Sequence, residues 1–248
     1  MPVIKMTDRI AFLSDIHGCE EALGRVLASI AAQGISRMIS LGDVLGYGPS
    51  PAECVRLLRQ SAEVCLIGNH DAMAVTDGFD LSMMSAPVAI PLELARRELD
   101  AEQKRWLESL PLTWNGDGIQ ASHASLHEPS LFTHIENSQH VRRHFSRQTA
   151  GISFYGHTHV PVVYCLDDRG RLGMASGNGE VLLSKPGRYA VGVGSVGFAR
   201  DGDPRACWVE FRPNTPSVIF HRVDFDFDAL ELKVANMLET AETERNAE

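Results

Sequence analysis

Five short motifs in the sequence are rich in histidine and aspartate. They are Asp15-Ile16-His17, Gly42-Asp43, Gly68-Asn69-His70-Asp71, Ser122-His123 and Gly156-His157-Thr158-His159. Imidazoles of this kind suit zinc, iron, nickel or manganese, and the carboxylates and the amide oxygen widen the choice toward manganese. The residue types therefore predict a site for divalent metal ions.

The number and spacing of these groups favour two metal ions rather than one. About eight candidate ligands are present, whereas an open site on a single ion uses about three protein ligands. In Asp-x-His and His-x-His the two side chains can lie on one side of a loop, and a carboxylate such as Asp43 can bridge two ions. Each motif alone also has a structural explanation, because Gly-Asp is common in turns and Asn-His-Asp can begin a helix. The prediction rests on the five motifs together.

Each motif follows or ends a segment that is typical of a buried β-strand. Short apolar runs predict strands over 9–14, 37–41, 64–67, 119–122 and 152–155. Apolar residues at a helical period predict helices over 20–33 and 51–60. Strands that alternate with helices form a parallel sheet, and the carboxyl ends of such strands form the ligand crevice. We therefore expect the motifs to meet at one rim.

The remaining segments predict one domain over 1–240 with a helical insertion. The insertion covers about 72–112 and is expected to act as a cap over the strand ends. A basic amphipathic helix is predicted over 138–147, and a terminal helix over 228–240 with a frayed tail at 241–248. Further strands are predicted over 162–166, 189–193, 207–211 and 217–223.

Charge limits the class of partner. The chain has 248 residues, with 23 Lys and Arg against 32 Asp and Glu, which leaves a net charge of −9. Because nucleic acids and anionic membranes bind through positive charge, neither long nucleic acid nor a membrane surface is an expected partner. The oligomeric state is left open. A small substrate is the expectation that remains.

Cysteine usage and the N-terminal sequence favour a cytoplasmic protein. The five cysteines are scattered and form no Cys-x-x-Cys pair, which is typical of free thiols in a reducing compartment. The N-terminal apolar run is too short for a signal sequence or a membrane span.

The ordered motifs resemble those of the calcineurin-like metallophosphoesterase superfamily. The segments LSDIHGCEEAL, SLGDVLGYGPSP and GSVGFARDGDPRA look like its small bacterial and archaeal phosphodiesterase branch. The resemblance covers most of the chain from about Arg9 to Val223. It implies an α/β (α+β) fold, a four-layer αββα sandwich of two mixed β-sheets flanked by helices. A dinuclear metal site would lie at the carboxyl ends of the strands.

The resemblance also assigns roles to residues. Asp15, His17, Asp43 and His159 would hold the first ion, with Asp43 as the bridge. Asn69, His123 and His157 would complete the second site. His70 would be the catalytic histidine, oriented by Asp71. Asn69, His70 and Tyr47 are the candidate substrate contacts, although Tyr47 has an equally good structural explanation.

The chemistry implied is metal-dependent hydrolysis of phosphate esters. Two divalent ions, manganese before iron, zinc or nickel, would supply a bridging hydroxide that attacks phosphorus. His70 would act as general acid toward the leaving oxygen. Phosphodiesters are favoured and monoesters stay open, and the physiological substrate is not indicated.

Three alternatives remain. A Ser/Thr protein-phosphatase-like monoesterase is disfavoured, because GDVLGYGP lacks the Asp-Arg-Gly segment whose arginine grips phosphate. A non-catalytic nucleotide- or metal-sensing module would be favoured by loss of His70 or of the bridge, and both are present. A redox dinuclear protein is disfavoured by the amide ligand Asn69 and by the general acid.

Several charged residues outside the motifs are expected to be structural. A solvated helix face is predicted for Arg142, Arg143 and Arg147, and an ion-pair network for Arg200 with Asp201 and Asp203. Packing or surface positions are predicted for His127, His134, His140, His144 and His221.

Overall fold

The short apolar segments become the strands of two β-sheets in a computed structural model, which describes residues 9–247, with side chains as far as residue 244. The strands are β1 (Ile10–Leu13), β2 (Arg37–Ser40), β3 (Val64–Cys65), β4 (Thr113–Gly116), β5 (Ile119–Ser122), β6 (Ile152–Tyr155), β7 (Pro161–Leu166), β8 (Leu172–Ser176), β9 (Gly179–Leu182), β10 (Arg188–Val193), β11 (Ala206–Arg212) and β12 (Ser217–Val223). The helices are α1 (Glu20–Ala32), α2 (Pro51–Ser61), α3 (Asn69–Val75), α4 (Ala86–Glu98), α5 (Ala101–Glu108), α6 (Ser138–Arg147) and α7 (Phe227–Ala247).

Both sheets are mixed, as predicted. One has the strand order β3-β2-β1-β11-β12-β9 and the other the order β4-β5-β6-β10-β7-β8. Strands β1, β2 and β3 run parallel in the first sheet, and β5, β6 and β10 run parallel in the second. The remaining pairs are antiparallel.

Three cores separate four layers. Between the sheets, the rings of Phe12 and Phe154 stack with centroids 3.7 Å apart. On the outer face of the first sheet, Leu23 and Val26 of α1 are buried with residues of α2 to α5 and α7. On the outer face of the second sheet, Val141 and Phe145 of α6 pack with Tyr155. The αββα sandwich is therefore confirmed.

The segment expected to form a cap is helical but packs elsewhere. Helices α4 and α5 contact α2 and α3, and α4 also contacts α7. Their apolar residues Ala89, Leu92 and Leu107 are buried in the same core as α1. The segment therefore extends the helical layer on the first sheet, because its apolar face packs against the neighbouring helices.

The last helix is longer than the sequence suggested. It runs to Ala247, through 241–247, where the sequence predicted a frayed tail after a helix end at Thr240. Residue 248 lies outside the described residues. Alanine, glutamate and arginine dominate this stretch and have high helix propensity, which accounts for the longer helix. Strands β8 and β9, which are edge strands of different sheets, were also missed, since their glycine- and serine-containing sequences carry little strand signal.

Candidate metal centre

The motif residues lie in the loops that follow β1, β2, β5 and β6 and in the first turn of α3, which follows β3. Backbone hydrogen bonds join these segments. The amide of Asp15 donates to the carbonyl of Gly42 at 3.0 Å, and the amide of Gly156 donates to the carbonyl of His123 at 2.8 Å. The rim therefore combines strand ends of both sheets. This arrangement brings together all the residues that the motifs proposed as ligands.

The backbone is strained at most of the candidate ligands. Left-handed φ angles are found at Asp15 (55°), His17 (51°), Asp43 (53°), His157 (63°) and His159 (60°). Such angles are uncommon outside glycine and cost on the order of 1–2 kcal/mol per residue. Strain of this kind collects at functional sites, where the surrounding structure holds it in place.

Two glycines leave room for the carboxylates. A Cβ atom at Gly68 would lie 2.1 Å from Oδ1 of Asp43, and one at Gly156 would lie 2.6 Å from Oδ2 of Asp15. Any side chain at these positions would displace a candidate ligand. The glycines of the Gly-Asn-His-Asp and Gly-His-Thr-His motifs are therefore required by close approach.

The first group of ligand atoms comprises Oδ1 of Asp15 and Nε2 of His17 and His159. The two nitrogens lie 3.0 Å apart, and they lie 3.8 Å and 3.4 Å from Oδ1 of Asp15. Nδ1 of His17 donates to the carbonyl of Leu45, and Nδ1 of His159 donates to that of Phe198. These bonds set the tautomers and leave both Nε2 lone pairs free to bind a metal.

The second group comprises Oδ2 of Asp43, Nε2 of His123, Nδ1 of His157 and Oδ1 of Asn69. Nε2 of His123 lies 3.3 Å from the Asp43 oxygen and 3.2 Å from each of the other two atoms. Nδ1 of His123 donates to the carbonyl of Leu41 at 3.0 Å, so that its Nε2 also presents a lone pair.

Asp43 stands between the two groups. Its Oδ2 lies 3.7 Å from Nε2 of His17 and 3.3 Å from Nε2 of His123. Its Oδ1 accepts the amide N–H of His70 at 2.8 Å and is thereby occupied. A single oxygen therefore faces both groups, as a bridging ligand must.

The donor set fits cations. Oδ1 of Asp15 is buried and accepts no hydrogen bond, and it shares its space with imidazole nitrogens that have no proton to donate. Burial lowers the pKa of His157 to about 3, which keeps that imidazole neutral. Buried carboxylates beside neutral imidazoles need positive charge, and divalent ions supply it.

His70 lies beside both groups. One of its ring nitrogens lies within 4.8 Å of ligand atoms of His17 and Asp43. Its ring packs against those of His17 and Tyr47, with centroids 4.8 Å and 5.0 Å away. Nδ1 is buried without a hydrogen bond, and burial lowers the pKa of the imidazole.

Asp71 does not orient His70, contrary to the role predicted for it. Its Oδ1 accepts the amide N–H of Leu45, and its Oδ2 accepts that of Gly68, each at 3.0 Å. Both oxygens of the carboxylate are therefore occupied by backbone N–H groups. Burial and the nearby Asp43 raise its pKa to about 7. Asp71 positions α3 and the Leu45 loop, and packing alone positions the His70 ring.

Arg200 also departs from its predicted role. Asp201 pairs with Arg222, and Asp203 pairs with Arg205, whereas Nη2 of Arg200 donates to Oη of Tyr47 at 3.3 Å. The ring of Tyr47 lies 4.5 Å from that of His17. Arg200 therefore belongs to the edge of the site.

The structure adds His134 to the residues around the candidate metal centre. Apart from His134 and Arg200, the residues outside the motifs have the packing or surface positions that were predicted. The ring of His134, predicted to be structural, lies against that of His157, with centroids 3.8 Å apart and an angle of 32° between the ring planes. No sequence signal singles it out, because it lies in an irregular loop. The side chains of Arg142, Arg143 and Arg147 are exposed on α6, as predicted.

The fold and this cluster define an αββα protein with a buried His/Asp centre that can bind metal. Comparison with known proteins agrees with this description. The sequence profile of the family Calcineurin-like phosphoesterase matches residues 8–161. The chain belongs to the calcineurin-like phosphoesterase family, and within it to the small bacterial and archaeal metallophosphoesterases. It is accordingly a hydrolase that acts on phosphoric ester bonds.

Individual relatives span most of the chain. An uncharacterised protein of Methanocaldococcus jannaschii is 32% identical over 92% of this chain and 93% of its own length. Phosphodiesterase YfcE of Escherichia coli is 24% identical over 79% of this chain and 83% of its own. A metallophosphoesterase from Sphaerobacter thermophilus has a crystal structure with a TM-score of 0.80, at 32% identity, over 93% of this chain and 94% of its own. No helix within residues 9–247 is long and apolar enough to cross a membrane.

Proposed function

We propose that the protein is a phosphodiesterase that works with two divalent metal ions, with monoesters as secondary substrates. The observation that carries the proposal is Oδ2 of Asp43, a single carboxylate oxygen 3.7 Å and 3.3 Å from the imidazoles of two ligand groups. This geometry suits a bridge between two ions. Manganese is the preferred metal, ahead of iron, zinc and nickel, because the set mixes imidazole with carboxylate and amide oxygens.

The ligand roles follow the two groups of atoms. Asp15, His17 and His159 would hold one ion, and Asn69, His123 and His157 the other, with Asp43 shared. When bound, the pair of ions lowers the pKa of a water molecule and offsets the negative charge of the phosphoryl oxygens. The protein contributes buried ligands whose directions are set before the metal arrives.

His70 is the proposed general acid. Its ring lies beside Asp43 and His17, within reach of a phosphate ester held at the centre. The protonated imidazole would give its proton to the leaving oxygen as the ester bond breaks. Asn69 and Tyr47 are the other proposed substrate contacts.

Three observations support a small diester substrate. The relative YfcE is named a phosphodiesterase and aligns with most of this chain. The Gly-Asp motif continues as Val-Leu-Gly-Tyr and not as the Asp-Arg-Gly of protein phosphatases. The net charge of −9 disfavours long nucleic acid. A cytoplasmic location stays a prediction.

Hydrolysis of two model esters tests the proposal. The purified protein is loaded with Mn²⁺ and assayed on bis-p-nitrophenyl phosphate and p-nitrophenyl phosphate, with and without a chelator. We expect faster turnover of the diester and loss of both activities with chelator. Absence of turnover with Mn²⁺, Fe²⁺, Zn²⁺ and Ni²⁺ alike would support the metal-sensing module and contradict the enzyme. A preference for the monoester would contradict the diesterase alone.

A further inference from the structure

Arg200 carries a positive charge that the proposed reaction does not use. Its side chain is exposed at the edge of the candidate metal centre and donates to the hydroxyl of Tyr47. Among the side chains that the structure describes, no carboxylate is close enough to form an ion pair with this guanidinium, because the neighbouring Asp201 and Asp203 pair with Arg222 and Arg205. The charge is therefore available to a ligand.

The backbone beside Arg200 is tied to a candidate metal ligand. The amide of Arg200 donates to the carbonyl of His159 at 3.2 Å, and the carbonyl of Phe198 accepts a hydrogen bond from Nδ1 of His159. The amide of Phe198 in turn donates to Oγ of Ser195 at 2.8 Å. The segment that carries the arginine is thus held at a set distance from the metal-binding atoms.

Tyr47 places the guanidinium on the side of the general acid. Its ring packs against His70, with centroids 5.0 Å apart, and its hydroxyl meets Arg200. A group that leaves from phosphorus and takes the proton of His70 would move toward this side. An arginine there suits a leaving group that is itself negatively charged.

We propose that Arg200 binds a second phosphate, attached to the scissile phosphate on the leaving-group side. Guanidinium groups bind phosphate through paired, charge-assisted hydrogen bonds. The preferred substrates would then be compounds with adjacent phosphates, such as nucleoside polyphosphates. This inference rests on the proposed function, because it uses the same centre and the same general acid.

The cleavage balances as a hydrolysis. The oxygen of water forms a bond to the scissile phosphorus, and the bond from that phosphorus to the bridging oxygen breaks. The bridging oxygen leaves with the second phosphate and takes the proton of His70, while the proton lost by water passes to solvent. Arg200 offsets the charge of the departing phosphate.

Binding of two nucleotide analogues tests the proposal without turnover. Isothermal titration calorimetry of the Mn²⁺-loaded protein compares adenosine 5′-(α,β-methylene)diphosphate with the 5′-phosphonate analogue of AMP. We expect the diphosphate to bind about tenfold or more tightly, as one charge-assisted contact implies. Arg200→Gln should remove most of this preference, and Arg200→Lys should restore part of it. Arg142→Gln is the matched control, since Arg142 is exposed and donates only to the backbone of Gly170.

Two results of the binding experiment would overturn the proposal. One is a wild-type protein that binds the two analogues equally. The other is an unchanged preference in Arg200→Gln, provided that circular dichroism shows an intact fold. If that variant does not fold, Tyr47→Phe removes the hydroxyl that holds the guanidinium and should weaken the same preference.

Measurements of hydrolysis distinguish failure of this inference from failure of the proposed function. The ratio of kcat/KM on diadenosine tetraphosphate to that on bis-p-nitrophenyl phosphate should fall about tenfold in Arg200→Gln. An equal loss on both substrates would mean that Arg200 grips the scissile phosphate, and the inference would be wrong while the phosphodiesterase stands. Failure of the wild type on every ester would instead refute the proposed function.

Discussion

At the scale of single residues, the centre is built by hydrogen bonds on the far side of each ligand. His17, His123 and His159 each use Nδ1 to donate to a backbone carbonyl, so that Nε2 faces the cluster. Asp43 uses Oδ1 for a backbone amide, and its Oδ2 faces both ligand groups. Ligand directions are therefore decided by backbone groups of other loops, as is usual for metal sites.

Asp43→Asn should weaken both metal sites together. The amide oxygen of the asparagine would take over the bond from the His70 N–H, which would turn its NH₂ group toward the metals. We expect the bound metal, measured by plasma mass spectrometry after dialysis, to fall well below half of the wild-type amount. Asp168→Asn, at an exposed position, is the control. Retention of one full equivalent would show that Asp43 is not shared.

His70→Ala should lower kcat and leave the metals in place. Loss of a general acid costs about 10²- to 10⁴-fold in rate, and His70 is not among the proposed ligands. We expect metal content near the wild-type value and a much lower kcat on bis-p-nitrophenyl phosphate. If the variant lost metal in proportion to activity, His70 would have to be reassigned as a ligand.

At the scale of elements, the site residues lie in loops and at the start of a helix. Helices α4 and α5 pack against that helix, α3. Helix α3 starts at Asn69, which puts a proposed ligand, the proposed acid and Asp71 on its first turn. Asp71 fastens this turn to the loop after β2 through Leu45 and to the end of β3 through Gly68. The first turn of α3 is thus fixed relative to two parallel strands.

Asp71→Ala should reduce stability. It removes the acceptors of two backbone N–H groups, and each buried donor left without a partner costs about 1–3 kcal/mol. Urea unfolding of the metal-free protein should show a loss of this size in the free energy of unfolding. A large fall in kcat with unchanged stability would instead support the predicted role of orienting His70.

His144 joins α6 to the second sheet and should make stability depend on pH. It accepts a hydrogen bond from the amide of Leu126 and lies 2.8 Å from Oγ of Ser153, and burial lowers its pKa to about 3. Above pH 6.5 both folded and unfolded forms are neutral. Between about pH 6.5 and 3 only the unfolded state takes the proton, so this residue should cost about 1.4 kcal/mol of stability per unit of falling pH.

The comparison of pH slopes isolates His144. In His144→Gln the free energy of unfolding, measured by urea titration between pH 7 and 5, should decline less steeply than in the wild type. His140→Gln on the same helix serves as the reference. Parallel slopes in all three proteins would mean that burial of His144 does not set the acid sensitivity.

At the scale of the whole molecule, the net charge of −9 at first disfavours an anionic substrate. Asp15, Asp43 and Asp71 contribute to that charge at the site itself. Two divalent ions would add about four positive charges there and reverse the local field, and Arg200 would extend the positive region outward. An acidic chain can therefore bind a small phosphate ester in its metal-loaded form.

Removal of metal should lower the melting temperature. Ions that bind only the folded state stabilise it by about 2.7 kcal/mol per site at a hundredfold excess over Kd. A chain of this size gains about 2–4 °C per kcal/mol. We therefore expect a drop on the order of 10 °C in calorimetry with chelator, restored by Mn²⁺. An unchanged melting temperature would contradict metal binding at this centre.

The sequence by itself determined the ligand types, the order of the motifs and the positions of most strands, and its resemblance to the calcineurin-like family implied the two-sheet sandwich. Apolar strands and the polar residues that follow them are local patterns, and local patterns can be recognised in the sequence. The extent of α7 and the placement of α4 and α5 were not predicted, because they depend on which surfaces pack together.

Only the tertiary structure decided how the site is assembled. It showed which nitrogen of each histidine faces the cluster, that Asp71 binds backbone instead of His70, and that Arg200 meets Tyr47. Each of these facts joins residues of different loops, such as Arg200 and Tyr47, which are 153 positions apart. Hydrogen bonds reach about 3 Å, so their partners depend on how the chain folds and not on its local pattern.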